Sequence, residues 1–293
     1  MSDKTKDGWL RTSMHRPCPI CERDWCTVSP DGSLCCCMRA ESDWPVKNGG
    51  WIHRLTDALA PARADIRPKE HAPAEHPTHP AIDCHALMRS FQADTAPDAI
   101  RRHALALGVS SGSLVRLGIA WAAAHKAWAF PMLNENTVIV GIRLRNQMGR
   151  KWAVSGSRQG LFWPIGSPEP NASVMICEGP TDTAAMLDLG YFAVGRPSCT
   201  GCSDMLQGLT VGYDVVIMGD RDLPKVRPDG TIWHPGQDGA RRLADHLCGK
   251  ARSVRIILPL KGCKDARAWL QAGVTRPIVD TVIRQKPPWR PKQ

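Results

Sequence analysis

The tightest constraint on what this chain can fold into lies in its second half, where short, near-continuous apolar runs alternate with helix-like segments. SVMICE (173–178), YFAVG (191–195), DVVIMGD (214–220) and SVRIILP (253–259) are too short for helices and too uniformly apolar for strands with one wet face. Strands buried on both faces, as in a parallel sheet, need such runs. Between them, PTDTAAMLDLG has Pro180 and Asp182 in its first turn and Gly190 as a stop, and GQDGARRLADHLCG also ends at a glycine. The alternation predicts an open, mostly parallel, doubly wound α/β domain from about Pro170 onward.

Upstream the pattern differs. AIRRHALALGV and SGSLVRLGI have helical apolar spacing, whereas AWAFPML, TVIVGIRLRN and KWAVSG are short alternating or β-branched runs parted by turn residues. A mixed α+β subdomain with a small antiparallel sheet is expected over 82–169, ahead of the α/β domain at 170–276. Residues 59–81 read as a linker, rich in Pro, Ala and His with almost nothing to bury, so His71, His76 and His79 are given no role. A C-terminal helix and basic tail are expected over 277–293, with QKPPWRPKQ disordered or in loose contact with phosphate.

Residues 1–58 are read as a small zinc-binding β domain. Six of the twelve cysteines fall between Cys18 and Cys37, which favours metal over a disulfide scaffold. Cys18-Pro-Ile-Cys21 is a knuckle, Cys26 follows, and Pro30-Asp31-Gly32 turns a hairpin that brings back Cys35, Cys36 and Cys37. Side chains alternate along a strand, so Cys35 and Cys37 share a face and Cys36 points away. Cys18, Cys21, Cys26 and Cys37 are the expected ligands of one structural Zn²⁺, with Cys35 as the substitute. Arg11, His15, Arg16, Arg23 and Arg39, with Trp25, Trp44 and Trp51, could offer cations and stacking faces to bases. Cys199-Thr-Gly-Cys202 lacks a second pair and reads as a loop between strand and helix.

Lysine and arginine outnumber aspartate and glutamate by 38 to 28, and a net charge of +10 favours a polyanionic partner, nucleic acid first. The sequence has no stretch long and apolar enough for a membrane span, and MSDKTKDG lacks the apolar core of a signal peptide, so a cytoplasmic protein is expected.

Glu178 ends one predicted strand, with Asp182 opening the next helix, and Asp220-Arg221-Asp222 ends another. Ligands of open α/β sheets bind at that end. Several acids there repel one another unless cations neutralise them, and oxygen ligands favour Mg²⁺ or Mn²⁺. Two such ions can activate a 3′-hydroxyl and stabilise a departing pyrophosphate.

Glu178-Gly179-Pro180-Thr181-Asp182 and Asp220-Arg221-Asp222 resemble, in order, the Glu-Gly-x-x-Asp and Asp-x-Asp motifs of the TOPRIM domain shared by DnaG-type primases, topoisomerases, OLD-type nucleases and RecR-type recombination proteins. The resemblance covers roughly 170–275. It implies that Glu178 is a metal ligand or general acid/base, that Asp220 and Asp222 bind the divalent ions and that Asp182 supports them. Lys264-Asp265 resembles the segment closing many primase TOPRIM domains, which adds Asp265. LPKVRPDGTIWHP departs from the family pattern by separating Asp-x-Asp from the next helix, leaving Asp238 unassigned.

Zinc ribbon, linker, basic mixed subdomain and TOPRIM resembles the primase order among TOPRIM families, and AWAFPML, GIRLRN and GRKWAVSGSRQGLFWP resemble the primase core's N-terminal subdomain as seen in phage- and plasmid-like proteins. The resemblance therefore implies a DNA primase making short RNA primers from ribonucleoside triphosphates on single-stranded DNA. Arg143, Arg145, Lys151 and Arg158 would line a groove for template or nucleotide phosphates. No GxxxxGK[ST] is present, so any replicative helicase is expected to be a separate partner. The alternatives are a TOPRIM nuclease and a RecR-like DNA-binding module without activity. A topoisomerase would need a nucleophilic tyrosine, and only Tyr191 and Tyr213 exist, both within the TOPRIM-like region.

Overall fold

A computed structural model describes residues 8–13, 16–23, 26–40, 42, 44, 46, 50–55, 82–169, 172–226 and 231–291. The expected linker with its histidines, together with His15 and Trp25, lies outside the described residues. The described chain forms two compact units, one up to Leu55 together with Val226 and Thr231, and one of the remaining residues from Ile82 onward.

In the first unit, β1 (Leu10–Arg11), β2 (Thr27–Val28), β3 (Leu34–Cys37) and β4 (Trp51–Arg54) form an antiparallel sheet in that order. The hairpin between β2 and β3 turns at Pro30-Asp31-Gly32 as expected. Gly32 takes φ +73° and donates its N–H to the Ser29 carbonyl at 2.9 Å, while the Asp31 carboxylate gathers Ser29 and Ser33. Along β3, Cys35 and Cys37 are buried and Cys36 is half-buried.

The second unit begins with α1 (Cys84–Ala93), α2 (Pro97–Leu107) and α3 (Ser111–Arg116). An antiparallel sheet follows, β5 (Ala120–Ala122), β6 (Ala127–Leu133), β7 (Ile139–Arg145) and β8 (Lys151–Ala153), paired in chain order. Then come β9 (Ser173–Glu178), α4 (Gly179–Asp188), β10 (Phe192–Arg196), α5 (Ser203–Leu209) and β11 (Asp214–Met218). A two-stranded ribbon, β12 (Lys225–Val226) with β13 (Ile232–Trp233), occupies the insertion, followed by α6 (Pro235–Leu247), β14 (Ser253–Ile257), α7 (Ala266–Gln271) and α8 (Arg276–Gln285).

The four apolar runs form one parallel sheet, β10-β9-β11-β14. Both its faces are covered, which explains the continuous hydrophobicity. Met175 and Cys177 of β9 join one core with Ala184, Ala185 and Trp269 of α4 and α7; Val174 and Ile176 join another with Leu206, Leu243 and Leu247 of α5 and α6. The antiparallel sheet is likewise sandwiched. Ile142 and Leu144 face Met88 and Phe91 of α1, while Trp128 and Phe130 enter the core shared with α4.

Leu161 and Phe162 tie the two sheets together. Leu161 pairs with Leu133 of β6 and Phe162 with Gly195 of β10. A Cβ at Gly195 would meet Thr183 Oγ1 at 2.3 Å and the Gly179 carbonyl at 2.9 Å, so only glycine lets β10 lie this close to the start of α4. The tail differs from expectation. Trp289 donates its indole N–H to Asp245 at 2.7 Å and its backbone N–H to the Val254 carbonyl at 2.6 Å, capping the free edge of β14.

Candidate active site and metal centre

The acid motifs meet because β9 and β11 are adjacent and parallel, with Ile176 opposite Ile217, so their C-terminal ends open on one edge. At the end of β9, Gly179 takes φ +75°, a left-handed turn that sends the chain from strand straight into α4. Glu178 is therefore left at the strand end and Asp182 in the first turn of α4. Asp182 Oδ1 accepts the Arg267 backbone N–H at 3.0 Å, and Asp265 caps α7 by accepting from Ala268 N at 2.8 Å. The Arg221 N–H bonds the Lys264 carbonyl at 2.6 Å, drawing the segment that carries Asp265 against Asp-x-Asp.

The insertion does not disturb this edge. α6 begins with Gly236 against Asp220, where an added Cβ would meet the Asp220 carbonyl at 2.7 Å and its Cβ at 2.8 Å. Gly236 N–H donates to Asp222 Oδ2 at 3.0 Å. Asp238, left open by the sequence, accepts from His234 N at 2.8 Å and pairs with Arg241; the backbone hydrogen bond holds its carboxyl below the ordinary range. It is a capping residue of α6.

The electrostatics record the crowding. Burial, followed by repulsion from Asp182, Glu178, Asp265 and Asp222, pushes Asp220 up to about 8. Burial and then Asp265 lift Asp182 to about 7, against the Arg267 N–H. Glu178 is raised by burial, and the Arg196 guanidinium opposes that rise. Its Oε1 is buried without a hydrogen bond, 3.9 Å from Arg196 Nη2. A buried carboxylate oxygen lacking a donor, among acids that repel one another, fits hard divalent cations such as Mg²⁺ or Mn²⁺.

Basic residues face this edge. Arg143, Arg145 and Lys151 share one face of the antiparallel sheet, with Arg145 directly opposite Lys151. Arg145 Nη1 reaches Thr181 Oγ1 at 3.3 Å. Lys151 is lowered by burial and by Arg145, and raised by Asp182 and Asp220. Arg158 lies apart: its side chain is exposed and its charge acts on Cys84 of α1. A cavity of about 640 Å³ adjoins Asp222 and is walled by Arg221, Lys225 and Lys264, with Lys264 Nζ 3.6 Å from Asp222 Oδ1.

Sequence reasoning missed Arg196. It is 1% exposed, pairs in register with Glu178, and donates to the Cys199 carbonyl at 2.9 Å. Cys199–Cys202 is the expected loop, now between β10 and α5.

In the first unit, the sulfurs of Cys18, Cys21, Cys26 and Cys37 all lie within 4.8 Å of one another. Cys21 and Cys26 are 3.6 Å apart, and Cys26 and Cys37 3.9 Å. Four sulfurs at about 2.3 Å from a tetrahedral zinc stand about 3.8 Å apart, so this set fits one structural Zn²⁺. Backbone N–H groups of Ile20, Met38 and Ala40 point at Cys18, Cys26 and Cys37 at 3.4, 3.3 and 3.2 Å. Such donors support thiolates.

No known family profile matches the sequence, and no curated protein does. Solved structures do. A DnaG catalytic core matches at TM-score 0.54 and 16% identity, covering 70% of this chain and 79% of that one. A DnaG primase catalytic domain bound to ssDNA matches at 0.51 and 13%, covering 70% and 77%. The zinc-binding and RNA polymerase domains of Aquifex aeolicus primase match at 0.53 and 10%, covering 70% and 60%. The fold is that of the DnaG primase core. On this primase fold the acids of β9, β11 and α7 and the cations of β7 and β8 occupy one edge, and among the described residues no helix is long and apolar enough to cross a membrane.

Proposed function

We propose that this chain is a DNA primase that makes short RNA primers from ribonucleoside triphosphates on single-stranded DNA. The observation that carries the reading is the gathering of Glu178, Asp182, Asp220, Asp222 and Asp265 at one sheet edge, with Asp220 pushed up to about 8 and a Glu178 oxygen buried without a donor. Two divalent cations bound there would favour attack of a 3′-hydroxyl on an α-phosphate and departure of pyrophosphate. Glu178, Asp220 and Asp222 would hold them. Asp182 fixes the start of α4 against α7, Asp265 adds charge from the α7 cap, and Arg196 holds Glu178. Arg143, Arg145 and Lys151 would bind template or nucleotide phosphates across the edge. The cavity walled by Arg221, Lys225 and Lys264 has room and charge for a triphosphate.

The likeness to a DnaG domain bound to ssDNA supports single-stranded DNA as partner. The zinc-binding region, residues 1–58, would contact template. The linker at 59–81 would carry it to a core divided into 82–169 and 170–276, with most of α8 and the tail in 277–293. A replicative helicase would act as a separate partner.

The test is incubation with single-stranded DNA, Mg²⁺ or Mn²⁺ and labelled ribonucleotides. Short labelled RNA is expected, and Asp220→Asn should abolish it while leaving DNA binding largely intact. Cut DNA without RNA would make the chain a nuclease, and neither product would make it a binding module.

A further inference from the structure

Three cations and one acid line the cavity beside Asp222. Arg221, Lys225 and Lys264 contribute the positive charge, and Asp222 is the one acid among the described residues that wall it. Both Asp222 oxygens already have partners: Lys264 Nζ stands 3.6 Å from Oδ1, and the Gly236 N–H donates to Oδ2 at 3.0 Å. Arg221 is braced by donating from Nε to the Pro259 carbonyl at 2.5 Å and from its backbone N–H to the Lys264 carbonyl at 2.6 Å. The space of about 640 Å³ falls within the roughly 300–1,000 Å³ of small-molecule sites. An excess of cations on such a wall binds a polyphosphate without help from metal.

The inner side of the same edge has the opposite balance. Asp182 and Asp220 act on the charge of Lys151, and Asp182 and Asp265 on that of Arg145. With Glu178 these acids crowd that side, and an anion among them needs divalent cations as partners. The edge therefore offers two unlike phosphate sites, one that needs metal and one that does not.

Starting a chain from two nucleotides requires such a pair. The 3′-oxygen of the first bonds to the α-phosphorus of the second, the bond between the α-phosphorus and its bridging oxygen breaks, pyrophosphate departs with the electron pair, and the hydroxyl proton passes to water. The second triphosphate is consumed at the metals. The first is kept intact, which favours holding it away from ions that would polarise its own phosphorus.

We propose that the cavity beside Asp222 holds the 5′-triphosphate of the first nucleotide, gripped by Lys225 together with Arg221 and Lys264. Lys225 belongs to the insertion between Asp-x-Asp and α6, so the grip uses a segment that departs from the TOPRIM pattern. This inference rests on the primase reading and adds which of the two nucleotides the cavity takes.

The experiment compares the full chain with Lys225→Ala and Lys225→Arg. Lys225 is exposed, so both variants should fold, and thermal unfolding checks this. In one arm, ATP binding is measured by calorimetry in magnesium-free buffer without chelator. The parent should bind ATP, Lys225→Ala should bind it about 10-fold more weakly, and Lys225→Arg should recover most of the loss. In the other arm, dinucleotide formation on single-stranded DNA with Mg²⁺ is started from the triphosphate or the monophosphate of the first nucleotide. The parent should show a KM about 10-fold lower for the triphosphate, and Lys225→Ala should erase most of that difference. A triphosphate advantage that survives Lys225→Ala, an equal rise in KM for the second nucleotide, or no metal-free ATP binding by the parent would overturn the proposal while the primase reading stands on the RNA made. A parent that makes no RNA would sink that reading and the proposal with it.

Discussion

Replacing Asp220 by Asn should stabilise the protein in the absence of divalent cations while removing its activity. Raising a carboxyl from the ordinary 3.8 to about 8 corresponds to about 6 kcal/mol against the anion. The sign follows from proton uptake. Between these values the unfolded chain has already ionised and the folded chain has not, so stability falls as pH rises through that window. Water entry and rotation of the acids reduce the net penalty, and a gain of about 1–3 kcal/mol is expected for Asp220→Asn at pH 8. For a unit of this size that is a rise of about 3–10 °C in Tm. The assay is thermal unfolding in magnesium-free buffer without chelator, which leaves the zinc centre loaded, repeated after adding Mg²⁺. Magnesium should stabilise the parent and leave the variant nearly unmoved. An Asn variant less stable than the parent at pH 8 without metal, or equal stabilisation of both by magnesium, would refute the reasoning.

Gly236→Ala should cost about 1–3 kcal/mol in chemical denaturation, because its Cβ would press on the Asp220 backbone, and should lower activity as Asp220 shifts. Arg196→Gln should move the acid limb of the pH–rate profile upward. Arg196 opposes the rise of Glu178, and a carboxylate that must be ionised is then lost at a higher pH as pH falls; an unshifted limb would remove Arg196 from this role. Stripping zinc with a chelator should unfold the first unit and leave the parallel-sheet unit with its own cooperative transition, as followed by limited proteolysis.

What the sequence disclosed is what local pattern can encode. The parallel strands were legible because burial on both faces demands continuous apolar runs, and Glu178, Asp220 and Asp222 because they end such runs. The alternation of Cys35, Cys36 and Cys37 was legible because a strand repeats every second residue. Arg196 was not legible: a single cation at a strand end looks solvent-bound until parallel pairing sets it in register with Glu178. Arg158 looked like its neighbours in a basic stretch, but the chain has left β8 by then and its side chain lies near α1 rather than the acids. The start of α6 was hidden by twelve residues between Asp222 and Pro235, and only the Gly236 contact with Asp220 restores the usual arrangement in space. The tail read as unattached because Trp289 finds its partners on α6 and β14, far away in sequence.

The seating of Gly236 on Asp220 also makes that junction a tolerant place to lengthen the protein. The chain leaves at Asp222 and returns at His234 to a helix whose first turn is held by contacts of its own. The seating of Asp220 and Asp222 against the start of α6 therefore does not rest on the ribbon strung between those two points, although Lys225 at its start walls the cavity beside Asp222. A reporter peptide or a recruitment tag spliced there beyond Lys225 would sit beside the acids without being built into their seating, and diversification of that stretch offers a route to new partners that leaves the acids where they are.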